Sequence, residues 1–294
     1  MSQAEDRAVR ITEVGPRDGL QNESALVSVQ DKITFVDALS GAGFPEIETT
    51  SFVSPKWVPQ LADAAEVMAG IRRRPDTLYS ALVPNARGLE RAIASGAGKL
   101  AIFTAASESF CGRNLNASIT ESIERFEPVI TAARERGLPL RGYVSCVVKC
   151  PYEGSVEPER VRETVARLVE AAEGRIEIAL GETLGVATPD EVEAVLVAVS
   201  REVPLGEIDL HLHDTHGQAL DGVIRALDLG VRAFDASCAG LGGCPYAPGA
   251  AGNLATEDLL EMLVREGWET GIDREAVMVA VSIARRITGR AAHS

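Results

Sequence analysis

The sequence predicts a (β/α)8 TIM barrel with an additional C-terminal helix, and three observations carry that reading. Short β-type runs alternate with longer stretches of helical spacing eight times over about 265 residues, the rhythm of parallel strands joined by helical crossovers. The least expected polar residues fall where those runs end, the end at which such a barrel gathers its functional side chains. No composition break, linker or low-complexity stretch divides the chain, so 1–294 reads as one domain, with the barrel at about 8–266 and a helical extension at about 267–294. The competing arrangement is a doubly wound open sheet, because alternation alone does not show closure.

The β-type runs are VRITEVG (9–15), EIETTS (46–51), LYSALV (78–83), KLAIFTA (99–105), RGYVSCVV (141–148), RIEIALG (175–181), IDLHLH (208–213) and AFDASCAG (233–240). They are rich in Val, Ile, Thr and aromatic residues, or they alternate with period two. Helical spacing runs through about 30–42, 60–73, 86–96, 118–137, 157–172, 189–201, 218–230 and 254–266, and a last helix is expected over about 273–288. Ser118-x-x-Glu121 and Thr188-Pro189-Asp190-Glu191 are capping-box starts, the second with Pro at the first helical position. Gly96, Gly137 and Gly230 stand where helices should stop.

Composition excludes several function classes. At 294 residues the chain can bury a large core, and 46% hydrophobic with 24% charged residues is ordinary for a globular protein. A formal net charge of −14 argues against a nucleic-acid or anionic-membrane surface. An anionic small molecule needs only a few local cations; Lys56, Arg113 and Lys149 are loop cations that would serve, or are solvated surface. The opening MSQAEDRAVR is polar and acidic, so neither a secretory signal nor an organellar presequence is expected. No apolar run reaches the roughly 18 residues of a membrane span. Five cysteines, an odd number, suggest reduced thiols and a cytoplasmic protein. Cys146-x-x-x-Cys150 has no second pair of matching spacing nearby, which disfavours structural zinc there.

The residues that could carry chemistry converge on one end of the expected barrel. His211 and His213 are spaced i, i+2 on a strand, so both imidazoles leave the same face, a suitable geometry for one metal ion. Arg17-Asp18 follows the first strand, Glu48 lies in the second and Glu182 ends the sixth. Asp18 alone reads equally as a cap of the turn in PRDG, and Asn253 as the N-cap of the helix that follows it. The loop GLGGCPYAPGAAGN (240–253) carries five glycines around Cys244. It is no dinucleotide fingerprint; it reads as a closing lid with a thiol at its tip, or as a tight turn with an inert cysteine.

EVGPRDGLQNE (13–23), ETTSFVSPKWVPQLAD (48–63), RGYVSC (141–146), CPYEG (150–154), HDTHGQAL (213–220) and AGLGGCPYAPGAAGNLATEDL (239–259) together resemble the hydroxymethylglutaryl-CoA lyase family, over about residues 9–288. The resemblance implies cleavage of (S)-3-hydroxy-3-methylglutaryl-CoA to acetyl-CoA and acetoacetate, a place in leucine degradation, and a homodimer. It implies Asp18, His211, His213 and Asn253 as metal ligands. Two nitrogens and two oxygens with open positions suit Mg²⁺ or Mn²⁺, while zinc or cobalt stays open. It makes His211 the candidate base for the substrate hydroxyl, Arg17 the stabiliser of the growing enolate charge and Cys244 the acid that protonates the enolate carbon. Glu48 and Glu257 match active-site carboxylates that would orient Arg17, the ligands or the lid.

Three departures bear on the substrate. The sixth strand ends Leu180-Gly181-Glu182-Thr183 where the family pattern has Asp, and the extra methylene shifts a carboxylate by about 1 Å. Ala179 stands where serine is common and His216 where tyrosine is common. Alternatives are therefore a lyase for a related 3-hydroxyacyl-CoA, an acyl-CoA-condensing synthase or aldolase, and a non-catalytic binder of acyl-CoA.

Overall fold

The computed structural model describes residues 7–24, 26–242 and 252–290. Eight parallel strands occur in it: β1 (Arg10–Glu13), β2 (Glu46–Ser51), β3 (Leu78–Leu82), β4 (Lys99–Ala105), β5 (Leu140–Ser145), β6 (Glu177–Glu182), β7 (Ile208–Leu212) and β8 (Ala233–Ala236). Strand β1 pairs with both β2 and β8, so the sheet closes and the open doubly wound alternative falls away.

Around the sheet run α1 (Val29–Gly41), α2 (Ala64–Gly70), α3 (Ala86–Ala94), α4 (Glu108–Asn114), α5 (Ile119–Arg125), α6 (Glu127–Arg136), α7 (Pro158–Ala171), α8 (Pro189–Val199), α9 (Ala219–Leu229), α10 (Thr256–Arg265) and α11 (Arg274–Thr288). Both capping boxes form, at Ser118 and Thr188. Gly137 and Gly230 end α6 and α9 in the left-handed region. The added helix α11 buries Val277, Ala280, Val281 and Ala284, one stripe at helical spacing, and packs against α1.

Several elements differ from the sequence expectation. The stretch 118–137 is two helices, because Pro128 near the start of α6 has no N–H to continue α5. Helix α4, capped by Ser107, was not expected after β4. Helix α2 is shorter than 60–73 and follows a 3-10 turn at Pro59–Leu61. Strands β1 and β8 stop short of their sequence runs because the last residues leave the ladder to build the rim.

The barrel interior is not the branched apolar stack common in this architecture. Its N-terminal end holds Lys99 Nζ donating to Glu46 Oε2 (2.8 Å) and Glu177 Oε1 (2.6 Å), and Arg141 NH2 donating to Asp235 Oδ1 (2.7 Å). Arg10 closes the network by donating to Asp209 (2.9 Å) and Glu177 (3.0 Å). Charges this deep survive only when paired. Leu82, Ala101, Tyr143 and Ala179 form a small apolar layer inside the barrel. The large core lies outside the sheet, against the helices.

Candidate active site

Beyond β1 the backbone makes one wide turn, Gly15–Gly19, with the N–H groups of Arg17, Asp18 and Gly19 aimed at the Val14 carbonyl (3.1, 2.8 and 3.2 Å). Such π-type turns recur at functional sites. Glu13 fastens it. Its Oε1 accepts from the N–H of Gly15 (2.9 Å) and Cys238 (3.0 Å), and its Oε2 from the Thr256 hydroxyl (2.7 Å). Burial pushes Glu13 up to about 7 against those hydrogen bonds. The turn delivers Arg17 and Asp18 to the barrel mouth.

Strand β7 delivers the histidines. Leu212 between them packs outward towards α9, so His211 and His213 face the interior. Past the strand, His213 pairs with Asn253 in an isolated antiparallel bridge. The flanking bonds run from Asp214 N–H to the Gly252 carbonyl and from Leu254 N–H to the Leu212 carbonyl, both 3.0 Å. Two glycines permit this return. A Cβ on Gly252 would lie 2.0 Å from the Gly242 carbonyl oxygen, and Gly242 itself has φ +109.

Asp18, His211 and His213 each offer a ligand atom, and these atoms lie within 4.8 Å of one another. Asn253 Nδ2 donates to Asp18 Oδ2 (2.9 Å) and to the Leu241 carbonyl (3.0 Å). Two buried acceptor-capable atoms beside them, His213 Nδ1 and Asn253 Oδ1, have no hydrogen-bond partner. A buried atom left so is costly, and a cation would satisfy it. Two imidazoles, a carboxylate and an amide oxygen are a fitting donor set for a divalent metal.

The electrostatics agree. Burial would raise Asp18, but the Arg17 charge and the neighbouring histidines outweigh it and hold the group at about 2. Burial, helped by the charge on His211, pushes His213 down to about 4. At neutral pH the carboxylate is ionised and His213 is neutral, as ligands must be. Burial would lower His211 too, yet its bond to Asp235 raises it. That bond joins His211 Nδ1 to Asp235 Oδ2 at 3.0 Å.

Arg17 is the fixed cation of the site. Its Nε donates to Glu48 Oε2 (2.6 Å) and its NH1 to Asp18 Oδ1 (2.5 Å). The guanidinium lies over the Tyr143 ring, 5.3 Å from the centroid, and the Tyr143 hydroxyl donates to Glu48 Oε2 (3.2 Å). Arg17, Asp18, Tyr143, His211 and His213 line a cavity of about 200 Å³. Leu82, Phe103 and Phe110 form its apolar wall.

The remaining expected residues sit elsewhere. Glu182 pairs with Leu212 and therefore shares its outward side, while Gly181 pairs with His211. The Glu182 carboxylate accepts from the N–H of Leu184 (3.4 Å) and Val186 (3.2 Å), so it orders its own loop and does not line the cavity. Glu257 accepts from the N–H of Ala239 (2.9 Å) and lies 3.4 Å from Arg285, bracing the chain that leads into the glycine-rich loop. Ala179 is buried in the interior apolar layer and His216 is exposed in the turn after β7. Lys56 and Lys149 are exposed, and Arg113 stacks on Tyr152. Cys244 lies outside the described residues. Sequence reading assigned no role to Tyr143, Arg141 or Asp235. Their signal was present, since each is a polar residue at an inward position of a strand.

A family model described as HMGL-like matches residues 8–283. The chain is 53% identical over 272 residues to the cytoplasmic 3-hydroxy-3-methylglutaryl-CoA lyase of Rattus norvegicus, covering 92% of this chain and 79% of that protein. It is 52% identical over 274 residues to the mitochondrial hydroxymethylglutaryl-CoA lyase of Bos taurus, covering 93% and 84%. Among solved structures, the HMG-CoA lyase of Brucella melitensis superposes with a TM-score of 0.94 at 50% identity, covering 96% of this chain and 99% of that one. An HMG-CoA lyase from Acinetobacter baumannii, solved in complex with coenzyme A and 3-methylmalate, gives 0.93 at 35% identity, covering 100% and 95%.

Proposed function

The chain belongs to the HMGL-like family, and from that premise we propose that it cleaves (S)-3-hydroxy-3-methylglutaryl-CoA to acetyl-CoA and acetoacetate at the mouth of the barrel. The observation that carries this reading is the meeting of Asp18, His211 and His213 beside Asn253, with acceptor atoms of His213 and Asn253 left unpartnered. These four residues would hold Mg²⁺ or Mn²⁺. Bound there, the cation supplies Lewis-acid polarisation of substrate hydroxyl and carbonyl oxygens.

The chain's own residues supply the rest. A base at the rim takes the proton of the tertiary hydroxyl; the family resemblance names His211, which can take it only while its Nε2 is not itself holding the cation. The carbon–carbon bond then breaks, and its electron pair passes to the acetyl-CoA fragment as an enolate. Arg17, locked by Glu48 and resting on Tyr143, places a permanent positive charge in the cavity where that enolate forms. Cys244 returns a proton to the enolate carbon. Gly242, the last described residue before Cys244 in the sequence, lies beside Asn253. Glu257, through Ala239, and Glu182, through its own loop, position backbone around the site.

The substrate class rests on the family and on the Acinetobacter lyase solved with coenzyme A. Leucine degradation and a cytoplasmic location belong to the same proposal. Cys111, Cys146, Cys150 and Cys238 are buried free thiols, which suits a reducing compartment. A homodimer does too, since Val264, Met278 and Val279 on α10 and α11 are exposed apolar surface that a second copy would cover.

The test is a panel of acyl-CoA thioesters assayed for acetyl-CoA release with Mg²⁺ and Mn²⁺, beside His213→Ala. Hydroxymethylglutaryl-CoA should be cleaved, and the variant should lose bound metal and turnover together. Full turnover by metal-free protein ends the metal reading. CoA release from acetyl-CoA plus a 2-oxo acid, with hydroxymethylglutaryl-CoA inert, would make the enzyme a condensing synthase.

A further inference from the structure

We propose that Asp235 is a positioning residue that fixes the tautomer of His211, so that Nε2 is left unprotonated towards the cation site, and that Arg141 dictates which Asp235 oxygen does this. The proposal rests on the metal reading above and adds the device that keeps one ligand ready.

The strand register creates the device. Asp235 on β8 is paired directly with His211 on β7, and both side chains point into the barrel. Asp235 Oδ2 lies 3.0 Å from His211 Nδ1, while His211 Nε2 lies 3.9 Å from Asp18 Oδ2. The two ring nitrogens thus face different carboxylates. Asp235 Oδ1 is already committed, because Arg141 NH2 donates to it at 2.7 Å. Arg141 cannot turn away. It is almost fully buried, within 3.1 Å of Asp209 and 3.3 Å of Glu177, with its guanidinium 4.9 Å from the Tyr143 centroid.

The donor and acceptor inventory then decides the tautomer. Arginine only donates, and an ionised carboxylate only accepts. Asp235 Oδ2 therefore demands a hydrogen on Nδ1 and leaves the Nε2 lone pair free. His213 has no such partner on its Nδ1, so the chain sets one imidazole of the pair and not the other.

Asparagine at 235 reverses the logic while keeping the shape. Arg141 must take the single amide oxygen. The NH2 group then faces Nδ1 and donates to it, which places the ring hydrogen on Nε2, where it blocks ligation. Alanine at 235 merely withdraws the acceptor and leaves the tautomer free. Asp235→Asn should therefore bind metal more weakly than Asp235→Ala. A residue that served only packing would give the opposite order, since asparagine fills the space and alanine empties it.

The measurements are Mn²⁺ affinity by electron paramagnetic resonance titration and long-range ¹H–¹⁵N correlation of the imidazoles in metal-free protein, where the chain has only four histidines to assign. Wild type, at a pH high enough that the ring is neutral, should show His211 as the Nδ1–H form. Asp235→Asn should show Nε2–H and lose on the order of 10–100-fold in Mn²⁺ affinity, with Asp235→Ala between the two. An Nδ1–H form retained in Asp235→Asn, or asparagine binding as well as alanine, overturns the proposal. Should the asparagine variant fail to fold, the alanine variant decides: His211 should lose its fixed Nδ1–H form there, and keeping it is the contrary result. A wild type that binds no Mn²⁺ would sink the metal reading instead, while the metal-free spectra still judge Asp235.

Discussion

Arg17 joins Glu48, Asp18 and Tyr143 at once. Among the described residues lining the cavity, its charge is the one preorganised cation that needs no proton transfer to act. Arg17→Gln should therefore lower kcat on hydroxymethylglutaryl-CoA by about 10²–10³, the usual cost of removing one electrostatic donor. The fold should survive. Burial already pushes Glu48 up despite Arg17, and without the guanidinium that push is less opposed, which favours the neutral carboxyl over a stranded charge. Steady-state kinetics with a thermal melt reads both, and a kcat within tenfold of wild type would remove Arg17 from the chemistry. Sequence made Arg17, Asp18, His211 and His213 legible because charged residues at strand ends are hard to explain otherwise. It marked Asp235 and Tyr143 only as inward polar residues and left their roles open, because what they do depends on a neighbour in the next strand, and register is not written in a local window.

The strands and most helices could be placed from period and caps, because each signal lies within one element. The turn Gly15–Gly19 could not, since it is held by bonds to Cys238 and Thr256 from the far end of the chain. Glu13 carries those bonds, and it makes the turn sensitive to pH. Its folded value of about 7 lies above the ordinary 4.5. Below pH 4.5 both states hold the proton. Between 4.5 and 7 the unfolded chain ionises while the folded chain does not, so this contribution to stability falls as pH rises and levels off above 7. Glu13→Gln lacks the proton and escapes the loss. Urea denaturation of both proteins should show the variant gaining on wild type by on the order of 3 kcal/mol across that window. Parallel stability profiles would mean that the Glu13 carboxyl is ionised at ordinary pH in the folded chain.

Closure of the barrel joins what the sequence separates. Asp18 comes from the first strand's loop, His211 from the seventh strand and His213 from just past it, and Asn253 from the return after the eighth. Alternation foretold the eight units. It could not foretell that the N-terminal interior would be ionic, because Lys99, Glu46, Arg141 and Glu177 pair across strands remote in sequence. The candidate metal residues therefore link the two ends of the chain, and a cation bound among them holds only in the closed barrel. Anything that binds the folded state alone stabilises it by mass action, about 2.7 kcal/mol at a hundred times its Kd. Unfolding of chelator-stripped protein should thus be delayed by Mg²⁺ or Mn²⁺, with Tm rising by roughly 2–4 °C for each kcal/mol in a chain near this size. His213→Ala should melt at one temperature with or without metal, because it removes a candidate ligand and leaves the ionic floor of the barrel intact. Equal shifts in the variant and in wild type would place the cation somewhere other than the rim.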